Sequence, residues 1–225
     1  MKVYSAAERR KRLFEHWPKD WPPRDNHVIQ HDVTRKQFDE FSSLVANRVG
    51  EREIERFLTE NREVLSMVIW MFSTGHHMSW LFPKAGIRTS SITVSGLIPD
   101  YIAAGANSDG LAWFVVELKG ADKNAFKKSG KRVALTSEAS NGVCQLLNYI
   151  DVVSRDQAYL RDGSGLVGLR EPKGILLIGT EAESNDPDVR NFKRAWNQHC
   201  PQLQIRSYSA LLRRLEEKLV DFGRL

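Results

Sequence analysis

Ile98-Pro99-Asp100-Tyr101-Ile102-Ala103-Ala104-Gly105-Ala106-Asn107-Ser108-Asp109-Gly110-Leu111-Ala112-Trp113-Phe114-Val115-Val116-Glu117-Leu118-Lys119-Gly120 is the stretch on which the reading of this chain turns. Leu97 to Ala103 is a short apolar run, and Leu111 to Leu118 is rich in aromatic and β-branched residues, so both predict strands. Gly105 to Gly110 is concentrated turn chemistry, which predicts that the two strands form a hairpin. Side chains two apart on a strand share a face, so Glu117 and Lys119 project together while Leu118 enters the core. Pairing of the strands then sets Asp100 beside Glu117: two carboxylates and one ammonium at one spot.

Around that hairpin the pattern alternates. Residues 1–36 carry Trp17-Pro18 and Trp21-Pro22-Pro23, and proline restricts its neighbour and breaks helix, so this part predicts an extended arm after a short basic helix. From Thr34, Phe38, Phe41, Leu44, Val45 and Val49 recur at helical steps as far as Gly50. A second helix follows with Ile54, Phe57, Leu58, Val64 and Leu65 inside and Glu51, Glu55 and Arg62 on its polar face. Ser91 to Val94 alternates as a strand. Beyond the hairpin, residues 119–132 read as a basic loop, and Thr136 to Val153 as a helix burying Val143, Leu146, Leu147 and Ile150. Gly163-Ser164-Gly165 reads as a flexible connection. Gly174 to Gly179 predicts a buried strand, Asp186 to Cys200 a helix opened by Asp186-Pro187, Leu203 to Tyr208 a strand and Ser209 to Val220 a last amphipathic helix. The expected architecture is α/β: a mixed sheet flanked by helices, with an N-terminal extended and helical arm at residues 1–36 and the main domain at residues 37–225.

Two carboxylates a few ångströms apart repel, which raises the pKa of one unless a cation intervenes. Mg²⁺, with Mn²⁺ as a substitute, is the hard cation that suits two protein oxygens completed by water and phosphate oxygens. Such an ion polarises a phosphodiester and helps to ionise a water. Lys119 then orients or deprotonates that water, or neutralises charge at phosphorus.

Pro99-Asp100 and Glu117-Leu118-Lys119 resemble the core motif of the PD-(D/E)XK nuclease superfamily, with 16 residues between the two carboxylates. Gln145-Leu146-Leu147-Asn148-Tyr149 resembles the Gln-x-x-x-Tyr helix motif of the RecB-like branch. The helix Glu51 to Leu58, followed by Glu60-Asn61, resembles the opening helix of the Shedu anti-phage nuclease domain, and this resemblance covers residues 50–210. Arg62 stands where that pattern has proline. The resemblance implies a restriction-endonuclease-like fold and a Mg²⁺-dependent endonuclease that cuts DNA in bacterial anti-phage defence as a homo-oligomer. It implies Asp100, Glu117 and the Leu118 backbone carbonyl as metal ligands, with Glu51 or Glu55 as a further one. Lys119 serves the attacking water, and Gln145 positions the scissile phosphate or Lys119. Lys123, Lys127, Lys128, Lys131, Arg132 and Tyr149 are the expected nucleic-acid contacts.

The charge supports a polyanionic partner. The chain of 225 residues has a formal net charge of +5, concentrated in residues 1–36 and 119–132, with a net acidic remainder. The longest apolar run, Val64 to Phe72, is interrupted by Ser66 and falls well short of the roughly 20 residues that cross a bilayer. No apolar stretch follows the basic Arg9 to Arg12, and two cysteines make no disulfide framework, so the expected location is the cytoplasm. His76-His77 reads as a loop pair rather than a metal site, and Cys144 as a buried thiol. Trp70, Phe72, Trp80 and Phe82 read as core or interface. Two other readings fit the same residues: a catalytically silent nucleic-acid-binding module of this fold, and an oligomerisation scaffold whose arm exchanges between subunits.

Overall fold

The computed structural model describes residue 11 and residues 14–29, 32–72, 78–85, 98–221 and 223–224. In chain order the elements are β1 (His27–Val28), α1 (Arg35–Ala46), α2 (Glu51–Glu60), α3 (Arg62–Ser66), β2 (Met78–Pro83), β3 (Tyr101–Asn107) and β4 (Gly110–Leu118). They continue with β5 (Phe126–Ser129), β6 (Arg132–Leu135), α4 (Ser137–Arg155), α5 (Gln157–Ser164), β7 (Lys173–Leu177), α6 (Pro187–His199), β8 (Leu203–Arg206) and α7 (Tyr208–Asp221).

Six strands make one mixed sheet in the order β1-β2-β3-β4-β7-β8. The first four are antiparallel neighbours, and β4-β7-β8 run parallel. Helices cover both faces, the arrangement of restriction-endonuclease-like α/β domains. In β4, Phe114, Val116 and Leu118 pack with α1, α2 and α7 through Phe41, Phe57, Tyr208 and Leu215. Trp113 and Val115 face the opposite layer with Leu146, Val153 and Leu160 of α4 and α5. Burial on both sides is why the strand reads as continuously apolar.

Local chemistry sets the helix ends. The Thr34 hydroxyl accepts the Gln37 N–H while the Gln37 side chain accepts the Thr34 N–H, a capping box that starts α1. Side-chain oxygens of Thr136 and Asp186 likewise accept backbone N–H groups at the starts of α4 and α6, with Pro187 at the first position of α6. The expected second helix divides at Asn61 into α2 and α3. Arg62 donates to the Leu81 carbonyl at 2.7 Å and the Asn26 carbonyl at 3.2 Å, joining α3 to β2 and the arm.

Several expectations are corrected. Residues 119–132 do not form a plain loop, because β5 and β6 pair there as a separate antiparallel hairpin. Gly163 and Ser164 end α5, and Gly165 closes it with a left-handed φ of 68°. Leu147 is exposed, whereas Tyr149 takes the buried position on α4. Met78–Pro83 is a strand that the sequence reading passed over as a set of core aromatics. The expected strand at Ser91 to Val94 and the pair His76-His77 lie outside the described residues. The described part of the arm packs on the body: Trp17 and Trp21 meet Trp80 edge-on, Trp17 also meets His27, and Val28 and Val33 are buried. Among the described residues no helix is long and apolar enough to cross a membrane.

Candidate active site

The site forms where β3 begins and β4 ends. Tyr101 pairs with Val116 in antiparallel register, so the next position along places Asp100 opposite Glu117 on one face. Both carboxylates are buried, at 8% and 4% exposure. The Leu118 backbone N–H donates to Asp100 Oδ2 at 2.8 Å, which fixes the carboxylate against the end of the neighbouring strand. The Lys119 ammonium donates to Glu117 Oε1 at 2.8 Å and lies 3.8 Å from Glu51 Oε2. Asp100, Glu117 and Lys119, predicted to converge, are brought together.

A fourth group joins them that the sequence reading did not name. Lys84, just past β2, donates to Asp100 Oδ1 at 2.7 Å and reaches Glu55 Oε1 at 2.6 Å. Glu51 and Glu55, one turn apart on α2, therefore both face the site, each through one lysine. The result is a cluster of four carboxylates and two ammonium groups, a formal excess of two negative charges.

Burial and that excess together set the protonation energetics. Burial first, and the nearby Asp100 charge second, push the Glu117 carboxyl up to about 7. Burial opposes the charge on Lys119, but the hydrogen bond and charge of Glu117, then Glu51, outweigh it and raise its pKa. Burial opposes the charge on Lys84 too, and Asp100 and Glu55 outweigh it there, so that pKa is also raised. Both lysines are therefore ammonium ions at neutral pH in this arrangement.

Supporting residues hold the frame. The Tyr208 hydroxyl donates to the Lys119 carbonyl at 2.7 Å. The Tyr101 and Thr59 hydroxyls pair beneath α2. Gly120 approaches the backbone of Glu51 so closely that a Cβ there would lie 3.0 Å from the Glu51 nitrogen and 2.0 Å from Asp122 Oδ1. The sequence reading assigned no role to Tyr208, Thr59 or Lys84. The one signal for Lys84 is a charge that ends an apolar strand, as Lys119 does.

Gln145 lines a cavity of about 490 Å³ together with Lys119, Glu138, Asn141, Cys144 and Asn148. Cys144 is thus an exposed free thiol rather than the expected buried one. Tyr149, expected at the nucleic acid, is buried and donates to the Ile98 carbonyl at 3.3 Å, so it braces the segment before Asp100. The basic segment is partly self-neutralised: Lys123 pairs with Asp122, and Lys128 with Asp186 and Asp188. Lys127, Lys131 and Arg132 are exposed on the β5–β6 hairpin.

The donor chemistry fits a divalent hard cation: carboxylate oxygens only, an excess charge of two, and one carboxyl whose ionisation is opposed by burial and by its carboxylate neighbour. In the arrangement described, the carboxylates turn to the lysines, and no group of three or more His, Cys, Asp or Glu among the described residues stands close enough together to hold a metal. Residues 49–212 match the family described as Shedu protein SduA, C-terminal. No curated protein matches the chain.

Proposed function

Because the chain belongs to the Shedu SduA C-terminal family, a membership that implies a role in anti-phage defence, we propose that it is a metal-dependent endonuclease of the PD-(D/E)XK type that hydrolyses DNA phosphodiester bonds. The observation that carries this reading is the meeting of Asp100, Glu117 and Lys119 at one strand end, buried yet opening beside the Gln145 cavity. Asp100, Glu117 and the Leu118 carbonyl are the residues that would hold Mg²⁺ or Mn²⁺, with Glu51 and Glu55 beside them. A bound divalent ion would polarise the phosphodiester and lower the pKa of a coordinated water.

The chain's own residues do the rest. Asp100 is held in place by the Leu118 N–H, so its second oxygen, which Lys84 holds in this arrangement, is aimed at the site without a rotamer search. Lys119, charged and fixed by Glu117 and by Tyr208 through its carbonyl, sets a positive charge beside the attacked phosphorus. Gln145, Asn141 and Asn148 offer amide donors along the cavity for phosphate oxygens. The exposed Lys127, Lys131 and Arg132 add salt-dependent attraction for the backbone. Assembly of several copies and a cytoplasmic location belong to the same proposal.

The test is incubation of supercoiled and linear DNA with Mg²⁺ or Mn²⁺, comparing wild type with Lys119→Ala and Asp100→Asn. Cleavage by wild type and a loss of roughly 100-fold or more in each variant is expected. One observation favours the second reading, a silent binding module: the lysines already satisfy the carboxylates. Intact DNA in every lane, with binding retained, would establish that module instead.

A further inference from the structure

A second charged site lies on the same edge of the sheet. Strands β4, β7 and β8 are parallel, so their carboxyl ends lie along one edge, with Glu117 and Lys119 at β4 and Arg206 at β8. Beside Arg206, α6 presents Arg190, Lys193, Arg194 and Asn197, spaced three and four apart on one helical face. Together with Glu181 they line a cavity of about 400 Å³. Asn197 fastens this wall: its amide donates to the Ile205 carbonyl at 3.2 Å and accepts the Ile205 N–H at 3.0 Å, which covers the free edge of β8.

The cavity is electrostatically unbalanced. Among the described residues its one carboxylate, Glu181, is taken by a bidentate pair with Arg213 at 2.7 Å, by the Lys193 ammonium at 3.8 Å and by the Ser207 hydroxyl at 3.3 Å, which leaves Arg190, Arg194 and Arg206 without a carboxylate there. Arg206 is half-buried, and its guanidinium donates to the neutral Gln204 amide oxygen at 2.7 and 3.0 Å. Burial, and next the like charge of Arg214, lowers its pKa. Among the described residues, this half-buried guanidinium has a neutral partner and cationic neighbours in Arg190, Arg194 and Arg214, and no planar oxyanion of the kind that arginine forks match.

We propose that this cavity is a phosphate-binding site, holding a backbone phosphate of the nucleic-acid strand that also reaches Glu117. Two inter-strand steps separate β4 from β8, about 10 Å, the length of about three base-pair steps measured along a duplex axis. The proposal rests on the endonuclease reading for the strand's course, and on the geometry of α6 and β8 for the site itself.

The experiment is fluorescence anisotropy of the full chain with a labelled duplex, in EDTA, over a range of salt. Arg190→Gln/Arg194→Gln and Arg206→Gln are each expected to weaken binding by about tenfold or more and to reduce the salt slope by roughly one for each phosphate that is no longer neutralised. Arg190 and Arg194 are exposed, so that variant does not depend on the tolerance of the half-buried Arg206. Unchanged affinity and slope in both variants would overturn the proposal. Inorganic phosphate is the second probe: if it raises the melting temperature of wild type and not of Arg190→Gln/Arg194→Gln while duplex affinity is equal in both, the site takes a free phosphate compound and the nucleic-acid assignment fails. If the variants bind duplex more weakly but wild type cuts no DNA with Mg²⁺, the phosphate site stands and the endonuclease reading falls.

Discussion

Asp100 accepts the backbone N–H of Leu118 at 2.8 Å across the β3–β4 pair, so one carboxylate both serves the site and closes the end of a strand. Asp100→Ala leaves that buried N–H without an acceptor, and a loss of about 1–3 kcal/mol in unfolding free energy is expected. Asp100→Asn keeps an acceptor oxygen, and its denaturant midpoint is expected to stay closer to wild type. The two variants thus separate stability from activity, and equal destabilisation by both would show that the charge rather than the hydrogen bond holds the strand end.

Glu117 gives the protein a pH dependence of definite sign. Its folded pKa, about 7, lies above its ordinary value of 4.5. The folded state then binds the proton more tightly than the unfolded chain does, so this group's contribution is complete below about 4.5 and is lost as pH rises towards about 7. In chelator, the melting temperature is expected to fall across that window, and Glu117→Gln to flatten the slope. Melting curves at closely spaced pH values check this; a slope unchanged by the substitution would place the titration elsewhere.

What could be read from the sequence follows how local each signal is. The β3–β4 hairpin was legible because its strands are adjacent and its turn residues lie between them. The meeting of Asp100 with Glu117 follows from that register alone. Lys84 was not legible, since its approach to Asp100 depends on the pairing of Pro83 with Tyr101 between strands separated by a long connection. Leu147 was misplaced by one step of helical phase, with Tyr149 taking the inward position. The Lys-rich segment hid a hairpin because each strand is only four residues long and the first buries Phe126 alone, with Lys127, Lys128 and Ser129 exposed. The Arg206 cavity is assembled from a helix and a strand whose charges have no motif in common.

Trp80 is the surface on which the described part of the arm rests. It is fully buried on β2, with the rings of Trp21, His27 and Trp17 at 5.5, 5.6 and 6.2 Å from it. Trp80→Ala removes that surface, and a destabilisation of about 3–5 kcal/mol is expected. Limited proteolysis should then cut first between Trp17 and Arg35. Cleavage confined to other segments would mean that the arm is held mainly by the Arg62 and Asn26 hydrogen bonds to Leu81.

The two lysines of the site should differ in kind. Lys84 bridges Glu55 and Asp100 through the oxygen of Asp100 that the Leu118 N–H leaves open. A divalent ion must compete with that ammonium, and Lys84→Met removes the competitor along with one positive charge. Mg²⁺ affinity, measured by calorimetry on the full chain, is expected to rise by roughly tenfold, equivalent to about 1.4 kcal/mol. Cleavage at saturating Mg²⁺ should stay within about tenfold of wild type, equivalent to about 1.4 kcal/mol, because Lys84 pairs with Asp100 and Glu55 whereas Lys119 pairs with Glu117 and Glu51. Lys119→Met also frees a carboxylate, Glu117, yet it deletes an ammonium that lines the cavity, so cleavage is expected to fall by roughly 100-fold or more whatever the Mg²⁺ concentration. Equal losses of cleavage in both variants, with Mg²⁺ affinity unmoved, would assign Lys84 to the reaction itself rather than to the control of metal binding.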